Sequence, residues 1–356
     1  MKKIIVLALA VLLAVSVFTA CGENGNSGAL KPGSNGEVNV CNWGEYIDES
    51  IFEDFEAQTG IKINYSTAAS NEVLYSLLKS GGAEYDVIIP SDYLISRLID
   101  EGMIQKINFD NVPNAELIDE NYKNLEYDPT GEYSVAYMWG TTGIIYNTTM
   151  ISDEITSWGA MFDPAYKDQL LMVDNPRDAM AVALQYLGYS LNTTDEKELN
   201  EAYDLLVAQN NIRQSFVMDQ IFDKMEGGEA AIAVYYAGDF ICMYENNPDL
   251  AFVHPVEGAN FFVDAMCILS EAQNKENAEA FINFMCDPDI ALRNMDVTGY
   301  VSAVTEAAEV FAGELDEMQY DVLFPSEEYL SKCEVFLNLP EETLNLYNDL
   351  WIKLKS

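Results

Sequence analysis

The sequence predicts an α/β fold in two domains, and three observations support that prediction. Short apolar, β-branched runs alternate with amphipathic segments from residue 38 onwards, which is the pattern of strands and helices in turn. The chain has 356 residues, more than one compact core usually holds. Several predicted strands are followed at once by aromatic and acidic residues, at the ends where α/β proteins bind ligands.

The first predicted unit is a strand over residues 38–40, a loop over 41–46 and a helix from residue 51. The loop holds Trp43, Glu45 and Tyr46 side by side. Aromatic faces attract ammonium groups and Glu45 can pair with one, so the loop suits a ligand that is both apolar and cationic. The alternative is a core tryptophan beside a solvated glutamate.

The remaining elements follow the same alternation. In the first unit the pattern predicts a helix over 51–58 ended by Thr59 and Gly60, a strand over 61–65, a helix over 71–79, a strand over 86–90, a loop over 91–93 and a helix over 94–101. Residues 139–147 are predicted to cross between the domains. The second unit has predicted strands over 170–173 and 230–235, a helix over 179–187 and a helix start at 193–196. The chain is expected to return to the first domain at 261–266, followed by a helix over 277–285 and an amphipathic tail over 340–355.

The composition excludes several classes of protein. A hydrophobic content of 49% is that of a globular chain, not of a disordered one. The formal net charge of −41 would repel phosphates, which excludes nucleic acid as a partner. Most of the 59 acidic residues are interpreted as solvated surface.

The N-terminus is predicted to be a targeting segment. Lys2 and Lys3 precede an apolar run over residues 4–18 that is too short for a comfortable membrane span. Residues 18–21 read Phe-Thr-Ala-Cys and resemble a bacterial lipobox, although Phe18 departs from the usual leucine. Cleavage would remove residues 1–20 and leave Cys21 as a lipid-bearing first residue, whereas ordinary secretion is the alternative. Residues 21–36 are rich in Gly, Ser and Asn and are predicted to be a flexible tether.

No catalytic residue, cofactor or metal is expected. The single histidine, His254, excludes a paired-histidine metal site and lies in a predicted loop. No nucleophile elbow or phosphate-binding loop is present, and the five cysteines after Cys21 contain no Cys-x-x-Cys spacing, so buried free thiols are expected. A hydrolase with paired carboxylates stays open, although no spacing singles out a pair.

Aromatic residues and single carboxylates recur at the predicted strand ends. The groups are Trp43, Glu45 and Tyr46; Ser91 and Tyr93; Asp178; Tyr236 and Asp239; and Phe262 and Asp264. Together they describe a cleft between two domains with aromatic walls and acidic ends. Burying an ammonium group without a carboxylate costs several kcal/mol, and methylenes prefer apolar walls, so a diammonium chain fits this pattern.

Eight short motifs make the chain similar to the spermidine/putrescine-binding family, the extracellular solute-binding proteins of polyamine ABC transporters. The motifs are NWGEY at 42–46, YST and SNE at 65–72, YDVIIPSDY at 85–93, EGMIQKI at 101–107, YMWGTT at 137–142, GYSLNTT at 188–194 and TGY at 298–300. The resemblance runs from residue 38 to the C-terminus.

The resemblance implies a two-lobed type II periplasmic-binding-protein fold that closes on its ligand. Lobe 1 is expected over 37–141 and 263–308, and lobe 2 over 142–262 and 309–356. By matching positions, the ligand-binding residues are expected to be Trp43, Glu45, Tyr46, Ser91, Tyr93, Asp178, Tyr236, Asp239, Phe262, Asp264 and Tyr300. Alternative roles stay open for three of them: Asp178 as a helix N-terminal acid, Tyr300 as a core residue and Ser91 as a helix cap.

Different residues are expected to bind the ammonium groups and the methylenes of the ligand. Asp264 and Asp239 are expected to hold one ammonium group with Asp178 nearby, and Glu45 to receive the other end or a third ammonium group. Tyr236 to Asp239 and Phe262 resemble the putrescine branch of the family, whereas Glu45 with Tyr46 resembles the spermidine branch. Asn175 stands where the spermidine branch carries an acidic residue, and Leu337 stands where that branch carries Gln. The preference between the two amines therefore stays open.

The expected function is that of a monomeric, lipid-anchored receptor on the extracytoplasmic side of the cell membrane. It would capture putrescine, spermidine or both and deliver them to the transmembrane subunits of an ABC permease. Two alternatives remain: an extracellular paired-carboxylate glycosidase, and a binding protein of the same fold for another small solute.

Overall fold

The computed structural model describes residue 33 and residues 35–82 and 84–356. The predicted signal segment, Cys21 and most of the predicted tether lie outside the described residues. Throughout the described part of the chain, no helix combines the length and the apolar character needed to cross a membrane.

The strands, numbered in chain order, are β1 Glu37–Asn42, β2 Lys62–Thr67, β3 Val87–Ile88, β4 Ile104–Gln105, β5 Ser134–Asn147, β6 Leu170–Val173, β7 Arg213–Val217, β8 Ile232–Tyr236, β9 Leu250–Val253, β10 Phe261–Leu269 and β11 Val301–Ser302. They form one mixed sheet whose main path runs β2-β1-β3-β10-β5-β8-β6-β7, with β4, β9 and β11 paired at its sides. The predicted α/β class is confirmed.

The helices are α1 Ile51–Thr59, α2 Asn71–Lys79, α3 Asp92–Asp100, α4 Pro176–Tyr186, α5 Glu196–Gln209, α6 Gln220–Glu226, α7 Ala237–Asn246, α8 Lys275–Met285, α9 Pro288–Thr298, α10 Thr305–Glu314, α11 Glu317–Leu323, α12 Glu327–Leu330 and α13 Glu341–Lys355. Short 3-10 turns lie at Phe109–Asn111, Pro113–Leu117, Glu120–Tyr122, Trp158–Phe162 and Pro164–Tyr166. The helices predicted over 51–58 and 71–79 are confirmed.

Strand β5 connects the two halves of the sheet. Residues 134–141 pair with β10, whereas residues 142–146 pair with β8. The segment predicted as a crossover between domains is therefore the second part of one long strand. The predicted lobe boundary between Thr141 and Thr142 falls at this change of partner, while the division into lobes stays a prediction.

The core follows the apolar runs of the sequence. Strand β6, predicted from Leu170 to Val173, is completely buried, as is almost all of β10. Between the sheet and α4 and α5 lies Trp158, whose Nε1 donates to the carbonyl of Gly258 at 2.8 Å. All five described cysteines are free thiols; Cys41, Cys267 and Cys286 are buried and Cys242 and Cys333 half-buried.

Two helix starts beside the sheet differ from the prediction. Helix α3 begins at Asp92, so Asp92 and Tyr93 lie in its first turn rather than in a loop. Helix α4 begins at Pro176 instead of residue 179, because Asn175 is its N-cap and accepts hydrogen bonds from the backbone N–H groups of residues 177 and 178. An N-cap asparagine followed by proline at the first helical position is a strong helix start, and the prediction missed it.

Strand β3 is also shorter than predicted, with two residues in place of the five over 86–90. The Asp86 carboxylate accepts backbone N–H groups of Asn39 and Asn274, both at 2.9 Å. Asp86 therefore ties neighbouring segments together through its side chain at the point where the strand was expected to start.

Candidate functional site

A cavity of about 380 Å³ opens between residues assigned to the two predicted lobes, and lobe 1 and lobe 2 denote that predicted division from here on. Its wall contains ten of the eleven predicted ligand-binding residues: Trp43, Tyr46, Ser91, Tyr93, Asp178, Tyr236, Asp239, Phe262, Asp264 and Tyr300. The eleventh, Glu45, does not line the cavity: its side chain is exposed and its backbone is in the left-handed region with a φ of 47°. The expected direct contact between Glu45 and a ligand therefore has no geometric support in this conformation.

The charges of the wall are all negative. Five aspartates line the cavity, and no described lysine or arginine does. One of the five, Asp174, pairs with Lys355 outside the cavity, which leaves Asp178, Asp219, Asp239 and Asp264 without a basic partner. Carboxylates in such a position need either protons or a cationic ligand.

Asp239 is the third residue of α7 and is held by a tyrosine from the other lobe. The Tyr300 hydroxyl donates to its Oδ2 at 2.7 Å. Burial raises the pKa of Asp239 to about 7; the Tyr300 hydrogen bond opposes the rise, and the negative charges of Asp219 and Glu45 add to it. The carboxyl group is thus poised to give up a proton when a cation arrives.

Asp178 is the third residue of α4 and is held within its own lobe. The Tyr236 hydroxyl donates to Oδ2 at 2.9 Å and Asn260 Nδ2 donates to Oδ1 at 3.4 Å. Burial raises the pKa of Asp178 to about 7, with the charge of Glu72 adding to the rise and the hydrogen bonds and Arg177 opposing it. Asp178 is a first-turn helix acid that also lines the cavity, so the two open interpretations of this residue are compatible.

Asp264 lies on β10 at a bulge, where the pairing register with β5 shifts between Asp264 and Ala265. A bulge re-aims a side chain, and here the carboxyl group lies in the wall of the cavity. Burial raises the pKa of Asp264 to about 6, against the opposing influence of the nearby Ser91, Tyr46 and Trp43 side chains. Nevertheless neither Asp264 Oδ1 nor the buried Tyr46 hydroxyl oxygen has a described partner in hydrogen-bond geometry.

A fourth buried acid, Asp92, stands behind the wall. Its Oδ2 accepts the backbone N–H of Val263 at 3.3 Å, next to Asp264 in the sequence. Burial raises the pKa of Asp92 to about 8, and the charge of Asp264 adds to the rise. Asp92 does not line the cavity, but it lies against two residues that do, since it accepts the Tyr93 backbone N–H at 2.7 Å and its charge interacts with that of Asp264.

Four aromatic side chains of the cavity wall contact one another in a row. Tyr46 meets Tyr300 edge to face at 4.8 Å between ring centroids, and Tyr300 meets Phe262 at 6.1 Å. Phe262 in turn meets Tyr236 at 5.6 Å. This continuous surface offers ring faces to methylenes and to ammonium groups.

Gly238 allows Tyr300 to reach Asp239. A Cβ atom at residue 238 would lie 2.4–2.7 Å from three carbon atoms of the Tyr300 ring. Gly299, at a φ of 73°, ends α9 and stands directly before Tyr300, and a Cβ there would lie 2.4 Å from the Gly238 carbonyl oxygen. Two glycines from different lobes therefore permit one close backbone approach beside the cavity.

Several lining residues were not among the predicted ligand-binding residues: Asn71, Asn175, Asp219, Tyr235, Asn260 and Phe336. Asn71 follows β2 and Asp219 follows β7, so both obey the strand-end rule that identified Asp178, and the sequence contained a signal for them. Burial raises the pKa of Asp219, and its Oδ2 lies 2.5 Å from the position of a Cβ on Gly44 in the opposite lobe. Phe336 carries no such signal, because only the folded chain brings it to the cavity.

The residues considered for catalysis and metal binding lie elsewhere or do not cluster. His254 stacks against Phe252 and Tyr329 outside the cavity, and burial lowers its pKa. Among the described residues, no group of three or more His, Cys, Asp and Glu side chains is arranged to hold a metal ion.

Comparison with known proteins connects this geometry to one family. The model of the bacterial extracellular solute-binding proteins matches residues 50–326. The spermidine/putrescine-binding periplasmic protein of Salmonella typhimurium is 34% identical over 331 residues, covering 92% of this chain and 94% of the relative. The putrescine-binding periplasmic protein SpuD of Pseudomonas aeruginosa is 30% identical over 350 residues, covering 93% of this chain and 95% of the relative.

Solved structures agree with the curated relatives. A candidate spermidine/putrescine ABC transporter protein from Listeria monocytogenes is 36% identical and superposes with a TM-score of 0.85, covering 90% of this chain and 98% of that one. The substrate-binding protein PotD from Streptococcus pneumoniae is 33% identical with a TM-score of 0.74, again covering 90% and 98%.

Proposed function

The chain belongs to the bacterial extracellular solute-binding protein family, and on that premise we propose that it binds putrescine, spermidine or both for uptake by an ABC transporter. The ligand-binding residues are the ten predicted residues that line the cavity. In this arrangement Asp239 and Asp264 hold one ammonium group and Asp178 holds another, while the aromatic walls enclose the methylenes.

One observation carries the proposal: buried carboxylates face a cavity whose described wall contains no basic side chain. Asp178 and Asp264 are 4% and 3% exposed, and Asp264 Oδ1 has no described hydrogen-bond partner. Leaving a buried carboxylate uncompensated is unfavourable by several kcal/mol, so the site favours a ligand that carries positive charge at more than one point. Aromatic walls between the acids require that the charges be joined by an apolar chain.

The glycosidase alternative is not favoured. The similar proteins named above are transport binding proteins. A glycosidase acid and base act on one bond from opposite sides, whereas these aspartates are held by tyrosine and asparagine donors along the wall of an aromatic cavity.

We further propose that Cys21 carries a lipid that anchors the protein on the outer face of the cell membrane, and that the protein acts there as a monomer beside its permease. The lipobox-like sequence at 18–21 supports the anchor. Metabolic labelling with a palmitate analogue tests the anchor: the natural chain is expected to take up the label, and Cys21→Ser to lose it.

Isothermal titration calorimetry of the purified protein tests the central proposal. Saturable binding of putrescine or spermidine with release of protons is expected, because the carboxylates must ionise to meet the ammonium groups. Uncharged 1,4-butanediol is the matched control and is expected not to bind. Absence of saturable binding to both amines would overturn the proposal.

A further inference from the structure

Glu72, a glutamate of lobe 1, lies outside the cavity wall and contacts the lining residue Tyr93. Glu72 lies in the first turn of α2, one residue after the lining residue Asn71. Its side chain is half-buried, and Oε1 accepts a hydrogen bond from the Tyr93 hydroxyl at 2.9 Å. The other oxygen, Oε2, is buried without a described partner.

The surroundings of Asp178 supply neutral donors but no ion pair. Its two oxygens meet the Tyr236 hydroxyl and the Asn260 amide. The neighbouring Arg177 is 2% exposed and directs its hydrogen bonds to the Leu337 carbonyl at 3.3 Å and to Asn192 at 3.1 Å, not to a carboxylate. The Arg177 guanidinium therefore lies in the same region, 5.0 Å from the Tyr93 ring, but directs its hydrogen bonds to neither Asp178 nor Glu72.

Tyr93 connects these groups physically. Its hydroxyl is bound to Glu72, its ring lies 5.0 Å below the Arg177 guanidinium, and its edge meets Phe336 at 5.6 Å between centroids. Glu72 and Tyr93 belong to lobe 1, whereas Arg177 and Phe336 belong to lobe 2. Tyr93 thus holds Glu72 in a fixed position at the junction of the lobes, beside the cavity that Tyr93 itself lines.

The like charge of Glu72 acts on Asp178. The Tyr93 hydroxyl is bound to Glu72 at 2.9 Å, and Tyr93 lines the same cavity as Asp178. In agreement with this geometry, the charge of Glu72 adds to the raised pKa of Asp178 and of Tyr93. Bringing two carboxylates together in a partly desolvated region is unfavourable unless a cation lies between them. An ammonium group bound at Asp178 would attract both the Asp178 and the Glu72 carboxylates, and the repulsion between them would be offset.

We propose that Glu72 is the lobe 1 carboxylate that completes the ammonium site at Asp178, so that the charge of the ligand holds the two lobes together at this end of the cleft. This inference rests on the proposed function. Glu72 belongs to the lobe that Asp178 does not, and its free oxygen is already buried there before a ligand binds.

The test compares Glu72→Gln with Glu53→Gln, both in lobe 1. Glutamine keeps an acceptor for the Tyr93 hydroxyl and removes only the charge, while Glu53 is exposed on α1 and serves as a control for the same change in net charge. Putrescine affinity is expected to fall about tenfold in Glu72→Gln and by less than about twofold in Glu53→Gln. The melting temperature of the empty Glu72→Gln protein is expected to equal or exceed that of the natural chain, because a repulsive contact is removed.

A double-mutant cycle with Asp178→Asn separates a shared ammonium site from an indirect effect. If both carboxylates meet one ammonium group, the loss in the double variant is expected to be at least about threefold smaller than the product of the single losses. A neutral Glu72→Gln, multiplicative losses, or a lower melting temperature of the empty variant would each overturn the inference. If the natural chain binds neither putrescine nor spermidine, the proposed function fails instead, so the two failures are distinguishable.

Discussion

Asp178 and Asp239 occupy the same position in two helices, and their surroundings differ. Each is the third residue of a helix that follows a strand of the sheet, and burial raises the pKa of each to about 7. The residue before Asp178 is Arg177, whereas the residue before Asp239 is Gly238. Gly238 leaves room for the Tyr300 ring, so Asp239 receives its tyrosine from the opposite lobe, while Asp178 receives Tyr236 from its own.

This difference shows how one local pattern supports two roles. The hydrogen bond of Asp239 exists only when the lobes are together, because its donor belongs to lobe 1. The hydrogen bonds of Asp178 lie within lobe 2, and under the proposal above Asp178 contributes to closure through a bound cation and Glu72. Asp239 is therefore tied to lobe 1 by a hydrogen bond of the chain itself, whereas Asp178 is not.

The largest expected effect comes from removing the charges themselves. Asp178→Asn and Asp239→Asn are each expected to weaken putrescine binding by about 3 kcal/mol, since a buried ammonium group would lose its carboxylate. Calorimetry measures both variants against the exposed Asp110→Asn as a control. A loss confined to one of the two variants would show that the ends are not equivalent for the ligand.

Gly238→Ala tests the contact that closes the Asp239 end. The added methyl group would displace the Tyr300 ring, so we expect putrescine affinity to fall by about 2 kcal/mol. Gly313→Ala on α10 is the control, because a Cβ there meets no atom within 4 Å. Unchanged affinity in Gly238→Ala would mean that the Tyr300 contact is not needed for the bound state.

The pH dependence of polyamine affinity tests Asp178, Asp239 and Asp264 together. The folded-state pKa values of about 7 for Asp178 and Asp239 and about 6 for Asp264 lie above the ordinary value of 3.8, so these acids bind extra protons in the empty folded protein. Their contribution to the stability of the empty protein is present below pH 4 and is lost as the pH rises through 7. Cations bind the ionised form, so polyamine affinity is expected to rise between pH 5.5 and pH 7.5, by up to about tenfold per pH unit for each proton released.

Calorimetry in buffers of different ionisation enthalpy counts the released protons. Asp178→Asn and Asp239→Asn are each expected to remove part of the count. Asp92, whose pKa burial raises to about 8, is present in both variants, so it does not account for a difference between their proton counts. An affinity that falls across this pH range would contradict the assignment of these carboxylates.

The smallest effect is expected for Glu45→Gln. Glu45 is exposed and outside the cavity wall, and its charge reaches Asp239 only through space. Putrescine affinity is expected to change by less than about 0.5 kcal/mol, and the change to shrink in high salt. A loss as large as that of Asp239→Asn would show that Glu45 swings into the cleft when ligand binds.

The strand-end rule explains how much of the site the sequence could predict. Tyr236 ends a strand and Trp43, Ser91, Asp178 and Asp239 follow one, and in α/β folds such positions converge at one edge of the sheet. Glu45 obeys the same rule, yet its side chain is exposed and its backbone is in the left-handed region. A rule about position along the chain does not determine the direction of a side chain.

The sequence by itself determined the α/β class, several of the strands and helices and ten residues of the cavity wall, because hydrophobic periodicity and residues at strand ends are local properties of the chain. Only the tertiary structure decided which acids line one cavity and which tyrosine holds which aspartate. The two tyrosine–aspartate hydrogen bonds join residues 58 and 61 positions apart. Their energies arise from burial and charge, which exist only once the two lobes come together.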